Sequence, residues 1–230
     1  YVLYPRSVDD IDYTYAEDPA VEIYFTEFFV GRPEDTICQP NFDWYIEVHY
    51  ALDNIGEFVD LNGNIYISNE NDTQGYLQYS RINAGHPIFP GDSFLLTNSN
   101  SENCLNNPES TNPVLSVELV NVEGSSGDLV TDVDLESTFK LIFSENDASM
   151  VNGDYVILNE VIIDIPSFGL NSYELSPLAT PEDNNFLNQN NGFWTESTTP
   201  LMNQNNVPLV NNFGATLHGS PGTMSFHSSQ

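Results

Sequence analysis

Alternation with a period of two is the strongest constraint in this chain. Trp44, Ile46, Val48 and Tyr50 would line one side of an extended segment, and Tyr45, Glu47 and His49 the other. Similar apolar stretches recur at 21–29, 64–68, 75–80, 93–97, 114–122 and 138–143, and 154–165 is long enough for a strand, a bulge and a second strand. Turn signals separate them: Asp53-Asn54, Asn62-Gly63, Pro90-Gly91, Gly124 to Gly127, and Asn152-Gly153. Many short strands at this spacing predict an all-β sandwich or barrel, and no segment predicts a helix.

Composition narrows the function. The 230 residues suit one elaborated domain. Hydrophobic residues at 40% and aromatics at 12% supply a real core and set the chain apart from a disordered acidic tail. Acidic residues number 34 and Lys plus Arg only 4, for a formal charge of −30. The four cations are Arg6, Arg32, Arg81 and Lys140, and much of the polar surface falls to Asn, Ser and Thr. A chain so poor in cations cannot displace counterions from nucleic acid, bind anionic headgroups, or grip phosphates. No apolar run approaches the ~18 residues of a helical membrane span, so no membrane insertion is expected.

The two ends look different from the middle. Residues 1–19 form an acidic, tyrosine-rich arm in which Val2 and Tyr4, then Tyr13 and Tyr15, alternate. Such an arm could pair with an edge strand of a second copy, or fold back on its own domain. From about residue 180 the chain is rich in Asn, Pro, Ser and Thr, with anchors at Phe186, Phe193, Trp194 and Leu209. It reads as long irregular backbone, and no internal repeat is evident. The sequence starts at Tyr1 without a basic-then-apolar leader, as expected either of a mature secreted chain or of a fragment. Cys38 and Cys104 sit in polar loops, which suits one disulfide in an oxidising compartment or two unrelated thiols. Asn71-Asp72-Thr73 is a glycosylation sequon.

A set of motifs occurs in a telling order: Thr26-Glu27 in the first strand, Trp44 to Tyr50, Asp60-Leu61-Asn62-Gly63, and Pro90-Gly91-Asp92. Ser172-Tyr173-Glu174, Phe193-Trp194 and Gly219-Ser220-Pro221-Gly222 complete it. In this order the chain resembles the lamin tail domain, an immunoglobulin-like β-sandwich, of the bacterial secreted or surface type. The resemblance spans roughly 21–223 and implies a sandwich at 20–223; the arm at 1–19 lies outside the pattern, and 224–230 is a short tail. Residues 99–137 depart from the pattern and read as an insertion. The motifs also have a plain structural reading: Gly63 for a positive-φ turn, Pro90-Gly91 for a type II turn, and Trp44 as a core anchor.

Chemistry is sparse by comparison. No nucleophile elbow, HExxH motif, P-loop or dinucleotide fingerprint occurs, and His49, His86, His218 and His227 are scattered. No enzymatic activity is therefore expected. Glu47 and His49 are expected on a solvated polar face. Cation binding has the better local candidate: if 138–143 and 155–163 form a hairpin, Glu145, Asp147 and Asp154, with Asn146 and Asn152, crowd its tip. Calcium takes such carboxylate and amide oxygens, so the cluster reads either as a solvated acidic loop or as a calcium site. Asp132 and Asp134 are a second acidic pair. The function expected is that of a secreted structural protein that self-assembles into an extracellular filament or surface layer through its arm. The alternative is a monomeric cell-surface adhesion or carbohydrate-binding module that takes surface glycans.

Overall fold

The computed structural model describes residues 23–31, 44–50, 63–71, 76–83, 88, 91–97, 105–106, 115–122, 138–163, 169–176, 186–187 and 193–222. The alternating segments are strands: β1 (Ile23–Val30), β2 (Trp44–Tyr50), β3 (Ile65–Asn71), β4 (Tyr76–Asn83) and β5 (Ser93–Thr97). They continue with β6 (Leu105–Asn106), β7 (Leu115–Asn121), β8 (Thr138–Phe143), β9 (Val156–Ile163) and β10 (Tyr173–Leu175). Three very short strands close the series: β11 (Phe186–Leu187), β12 (Trp194–Glu196) and β13 (Met202–Asn203).

These strands form an all-β sandwich. The hydrogen-bonded order is β11-β9-β8-β3-β4-β7-β5-β2-β1-β10-β12. One strand joins the two layers. Leu115, Ser116 and Val117 of β7 run parallel to β5, while Glu118 to Asn121 run antiparallel to β4. The segment 99–137, read as an insertion, thus supplies the strand that joins the layers. The main core is drawn from both: Ile23, Phe25, Phe28, Trp44, Ile46 and Val48 pack with Ile65, Ile67, Phe139, Leu141 and Val161. Phe139 lies edge-on to Phe28 at 5.5 Å and to Phe25 at 6.3 Å between ring centroids.

Two bulges adjust the alternation. In β1 the register passes from Phe25↔Val48 to Glu27↔Glu47, so Thr26 is an extra residue. Ile23 and Phe25 face the core before it, and Phe28 after it. In β9, Leu158 is extra between Asn159↔Leu141 and Ile157↔Ile142, and 156–163 is one bulged strand rather than two. Across the sandwich, the Phe25 N–H donates to Asn159 Oδ1 at 3.2 Å, beside both bulges.

Each layer has something on its outer face. On the β3–β8 side lies a short helix, α1 (Asp147–Asn152), at the tip of the β8–β9 hairpin. The sequence reading expected no helix. Its ends carry ordinary signals: Asn146 caps the N-terminus through Ser149 N, and Gly153 ends it at φ 85°. Met150 packs there with Tyr66, Val122 and Ile142. On the β1–β2 side the outer face is covered by the C-terminal segment, and Leu201, Leu209 and Leu217 pack on Phe29, Tyr45, Leu95 and Leu105. Gly63 has φ 84° and Gly91 φ 95°, the positive φ expected of their turns, while Asp53-Asn54, Pro90 and Gly124 to Gly127 lie outside the described residues. Val2, Tyr4, Tyr13, Tyr15, Cys38, Cys104, Asp132 and Asp134 lie outside the described residues.

Phe139 sits where the two layers meet, and Phe213 is 87% exposed. Phe139→Ala should therefore lower the unfolding free energy by about 3–5 kcal/mol in urea titration. Phe213→Ala should change it by less than about 0.5 kcal/mol.

Candidate functional site

The Thr26 bulge sets up the site. It brings Glu27 into register with Glu47 on β2, while on its other side Glu27 is opposite Glu174 on β10. Three glutamates therefore lie side by side across adjacent strands, on the face away from the main core. Like charges directly opposite each other are unfavourable even on a wet sheet. Here the face is covered: Glu27 is 2% exposed and Glu47 1%. The expected solvated face for Glu47 and His49 is thus overturned. For Glu47 the cause is a second layer contributed by residues more than 150 positions away.

Donors converge on these carboxylates. Glu27 Oε1 accepts from Tyr45 Oη at 2.6 Å, from the Ser220 N–H at 3.0 Å, and from Ser172 Oγ. Glu47 accepts from Thr26 Oγ1 at 2.7 Å and from the Gly222 N–H. Glu174 Oε1 is buried without a hydrogen-bond partner among the described residues. No cation faces the cluster among the described residues; Arg81 and Lys140 are paired with acids elsewhere, on the outer face of the other layer. Burial pushes the Glu27 carboxyl well above its ordinary range, and the charges of Glu47 and Glu174 add to this. Burial pushes Glu47 up to about 7 despite the stabilising bonds from Gly222 and Thr26. Burial and the neighbouring Glu27 also raise Tyr45. A hydrogen bond to a charged group contributes about 1.5–3 kcal/mol, whereas a desolvated ion costs several kcal/mol. One charge in the cluster can be offset by its donors; two facing charges cannot.

The covering segment is regular rather than irregular. Residues 201–222 repeat every eight positions: Leu201, Leu209 and Leu217; Asn203 and Asn211; then Asn206, Gly214 and Gly222. Those last three residues all have positive φ, at 59°, 77° and 79°. The backbone closes into a ring. Leu209 N–H donates to Leu201 O, Leu217 N–H to Leu209 O, and Leu201 N–H to Leu217 O, at 2.8–2.9 Å. In the first lobe Asn203 Oδ1 accepts from the N–H groups of 205 and 207; in the second, Asn211 Oδ1 accepts from those of 213 and 215. The third lobe has Gly219 where the others have Asn. A Cβ on Gly219 would overlap Tyr45 Oη and reach 3.0 Å from Glu27 Oε1. Glu27 and Glu47 accept the N–H groups of this lobe instead. The three leucines point inward as the apolar underside of the cap.

The cap also differs electrostatically from the rest. No Asp, Glu, Lys or Arg occurs from Ser197 to Gln230, in a chain of net charge −30. Its turns expose Gln204, Asn205, Asn206, Val207 at 51% and Phe213 at 87%.

The residues expected to bind calcium share the hairpin tip. Asp147 Oδ1 accepts from Tyr66 Oη at 2.9 Å and pairs with Arg81 at 3.3 Å, which ties α1 to the sheet. Asn146 is the helix cap, and Asp154 is exposed with its backbone in the hairpin bonds. Among the described residues no group of three or more His, Cys, Asp or Glu is placed to hold a metal ion. By contrast, the motif residues, distant in sequence, converge in two neighbouring hydrogen-bonded sets, Ser172 and Ser220 on Glu27 and Thr26 and Gly222 on Glu47. Sequence reading missed the eightfold period, although the spaced leucines and asparagines carried its signal.

Gly219→Ala should destabilise the protein by about 1–3 kcal/mol, because the methyl group has no room. Asn211→Ala should cost about 1 kcal/mol and speed amide exchange at Phe213 and Ala215 more than at any strand residue. His49 lies on the same buried face, with Nδ1 2.8 Å from Ser93 Oγ, and burial lowers its pKa to about 4. An unfolded histidine titrates near ~6.5, so this contribution to stability is full above that pH and is lost as pH falls towards 4. An NMR titration should find the His49 ring still neutral at about pH 5.5, where a free histidine is mostly charged.

Comparison with family models, with curated proteins and with solved structures finds no match to this chain.

Proposed function

We propose that this chain is a structural β-sandwich module that self-associates outside the cell, with residues 1–19 adding a strand to a neighbouring copy and the uncharged cap meeting the neighbour's body. The carrying observation is the segregation of charge. Two bodies at −30 repel each other over the ~8–10 Å Debye length of physiological salt. The cap is a region through which they can approach without facing acid against acid. Its turns are braced by asparagine side chains, so burying Phe213 sacrifices little conformational freedom. Burying one such side chain contributes roughly 1.5–3 kcal/mol. The resemblance to lamin tail domains supports the reading, since the residues that carry it lock the cap to the sheet. A secreted location belongs to the same proposal.

One observation favours a second reading. An 87% exposed phenylalanine among amide side chains also suits the apolar face and hydroxyls of a neutral glycan. Sedimentation velocity and negative-stain microscopy separate the two. Under the first reading the full chain forms ordered polymers, strengthened by added salt or calcium through screening. Deleting 1–19 reduces them to small oligomers, and Phe213→Asp weakens association about tenfold or more. Dispersed single copies of the full chain would overturn it, and retention of that monomer on a neutral polysaccharide column would favour the glycan.

A further inference from the structure

The strap Gly219–Gly222 is the last described part of the chain, and its attachment has an unusual chemistry. The Gly219 N–H donates to Thr199 O at 2.8 Å, and the N–H groups of Ser220 and Gly222 end on two carboxyls that face each other in strand register. Pro221 between them has no N–H to offer. Gly219 lies against Tyr45 and Glu27 with no space for a side chain, so the strap closes directly over the pair. The groups around the pair are Thr26 and Glu27 on β1, Tyr45 and Glu47 on β2, Ser172 and Glu174 at β10, and the strap itself. Every charged side chain in this set is acidic. Neighbouring His49 is held neutral near pH 7 and supplies no positive charge.

We propose that Glu27 and Glu47 act as a proton-controlled latch: the strap stays docked while the pair holds at least one proton and detaches when both carboxyls ionise. With one proton present, the remaining charge is spread over the Tyr45, Ser172, Thr26 and strap donors. Loss of the second proton places two charges side by side, with Glu174 next in the row and no counter-ion among the described residues. Water relieves that repulsion, and the strap is what keeps water out. The raised proton affinity of both carboxyls agrees with this order of events. The sign follows from linkage. A carboxyl held above its unfolded value stabilises the docked state fully below the ordinary carboxylate range, and that contribution is lost as pH rises through about 7 for Glu47, with Glu27 displaced in the same direction by burial and by its acidic neighbours. The latch thus opens towards alkaline pH. It rests on this geometry alone, whatever the cap meets.

The test is amide exchange of the full chain read residue by residue, corrected for the intrinsic pH dependence of exchange. Protection at Ser220 and Gly222 should fall about tenfold or more from about pH 6 to 9, while protection in β2 stays constant. Glu47→Gln keeps an acceptor for Gly222 but cannot ionise, so it should retain strap protection across the range; Glu145→Gln, at the distant hairpin, should behave as wild type. Equal loss of protection in Glu47→Gln and wild type, or no loss in either, would overturn the latch. Should Glu47→Gln not fold, carboxyl-carbon NMR titration of the wild-type protein decides. Midpoints for Glu27 and Glu47 near the ordinary ~4.3 would sink the proposal, and midpoints near neutrality or above, moving together with the Gly222 amide signal, would sustain it.

Discussion

A sheet with two buried faces has nowhere to put a charged side chain without finding it donors, and Glu27 is where this protein meets that constraint. Its Oε1 accepts from Tyr45 on the next strand, from Ser172 far along the chain, and from Ser220, 193 residues away. One atom therefore joins the first described strand, the residue just before the tenth, and the cap. Glu47 repeats the arrangement with Thr26 and Gly222. The apolar part of the interface, three leucines on Phe29, Tyr45, Leu95 and Leu105, would tolerate some sliding, because hydrophobic contact is non-directional. The carboxylates fix the cap's position.

The bulges make the arrangement compatible with a continuous core. Without the extra residue at Thr26, a strict alternation from Ile23 and Phe25 would turn Glu27 inward and Phe28 outward. The bulge shifts the phase by one residue, so Phe28 joins the core and Glu27 faces the cap. A similar shift at Leu158 frees Asn159 to accept the Phe25 N–H, so that the disruption in one layer is satisfied by the other. Local irregularity in the strands is thus matched across the sandwich.

Long alternating segments were legible from sequence because each one carries its own pattern. WYIEVHY, SFLLT and TFKLIF are strands with the boundaries that their side chains imply. Elements of two or three residues were not, since β6, β11, β12 and β13 exist through their partners rather than through a pattern. Helix α1 had its cap signals in Asn146 and Gly153, but six residues are too few for a helical period to stand out. Glu47 and His49 look solvated to any local reading, because alternation reports which side a residue faces and says nothing of what covers that side. The cap failed to register as a repeat for a related reason. Its third lobe replaces the bracing Asn with Gly219, and borrows its acceptors from the sheet.

Ring closure in the cap has one more consequence. A strand edge invites another strand, and with it open-ended growth through the backbone. The leucine N–H and carbonyl groups that could offer such an edge are spent on one another, lobe to lobe around the ring. Along that ring, recognition is left to side chains, which can choose a partner by shape and by the absence of charge.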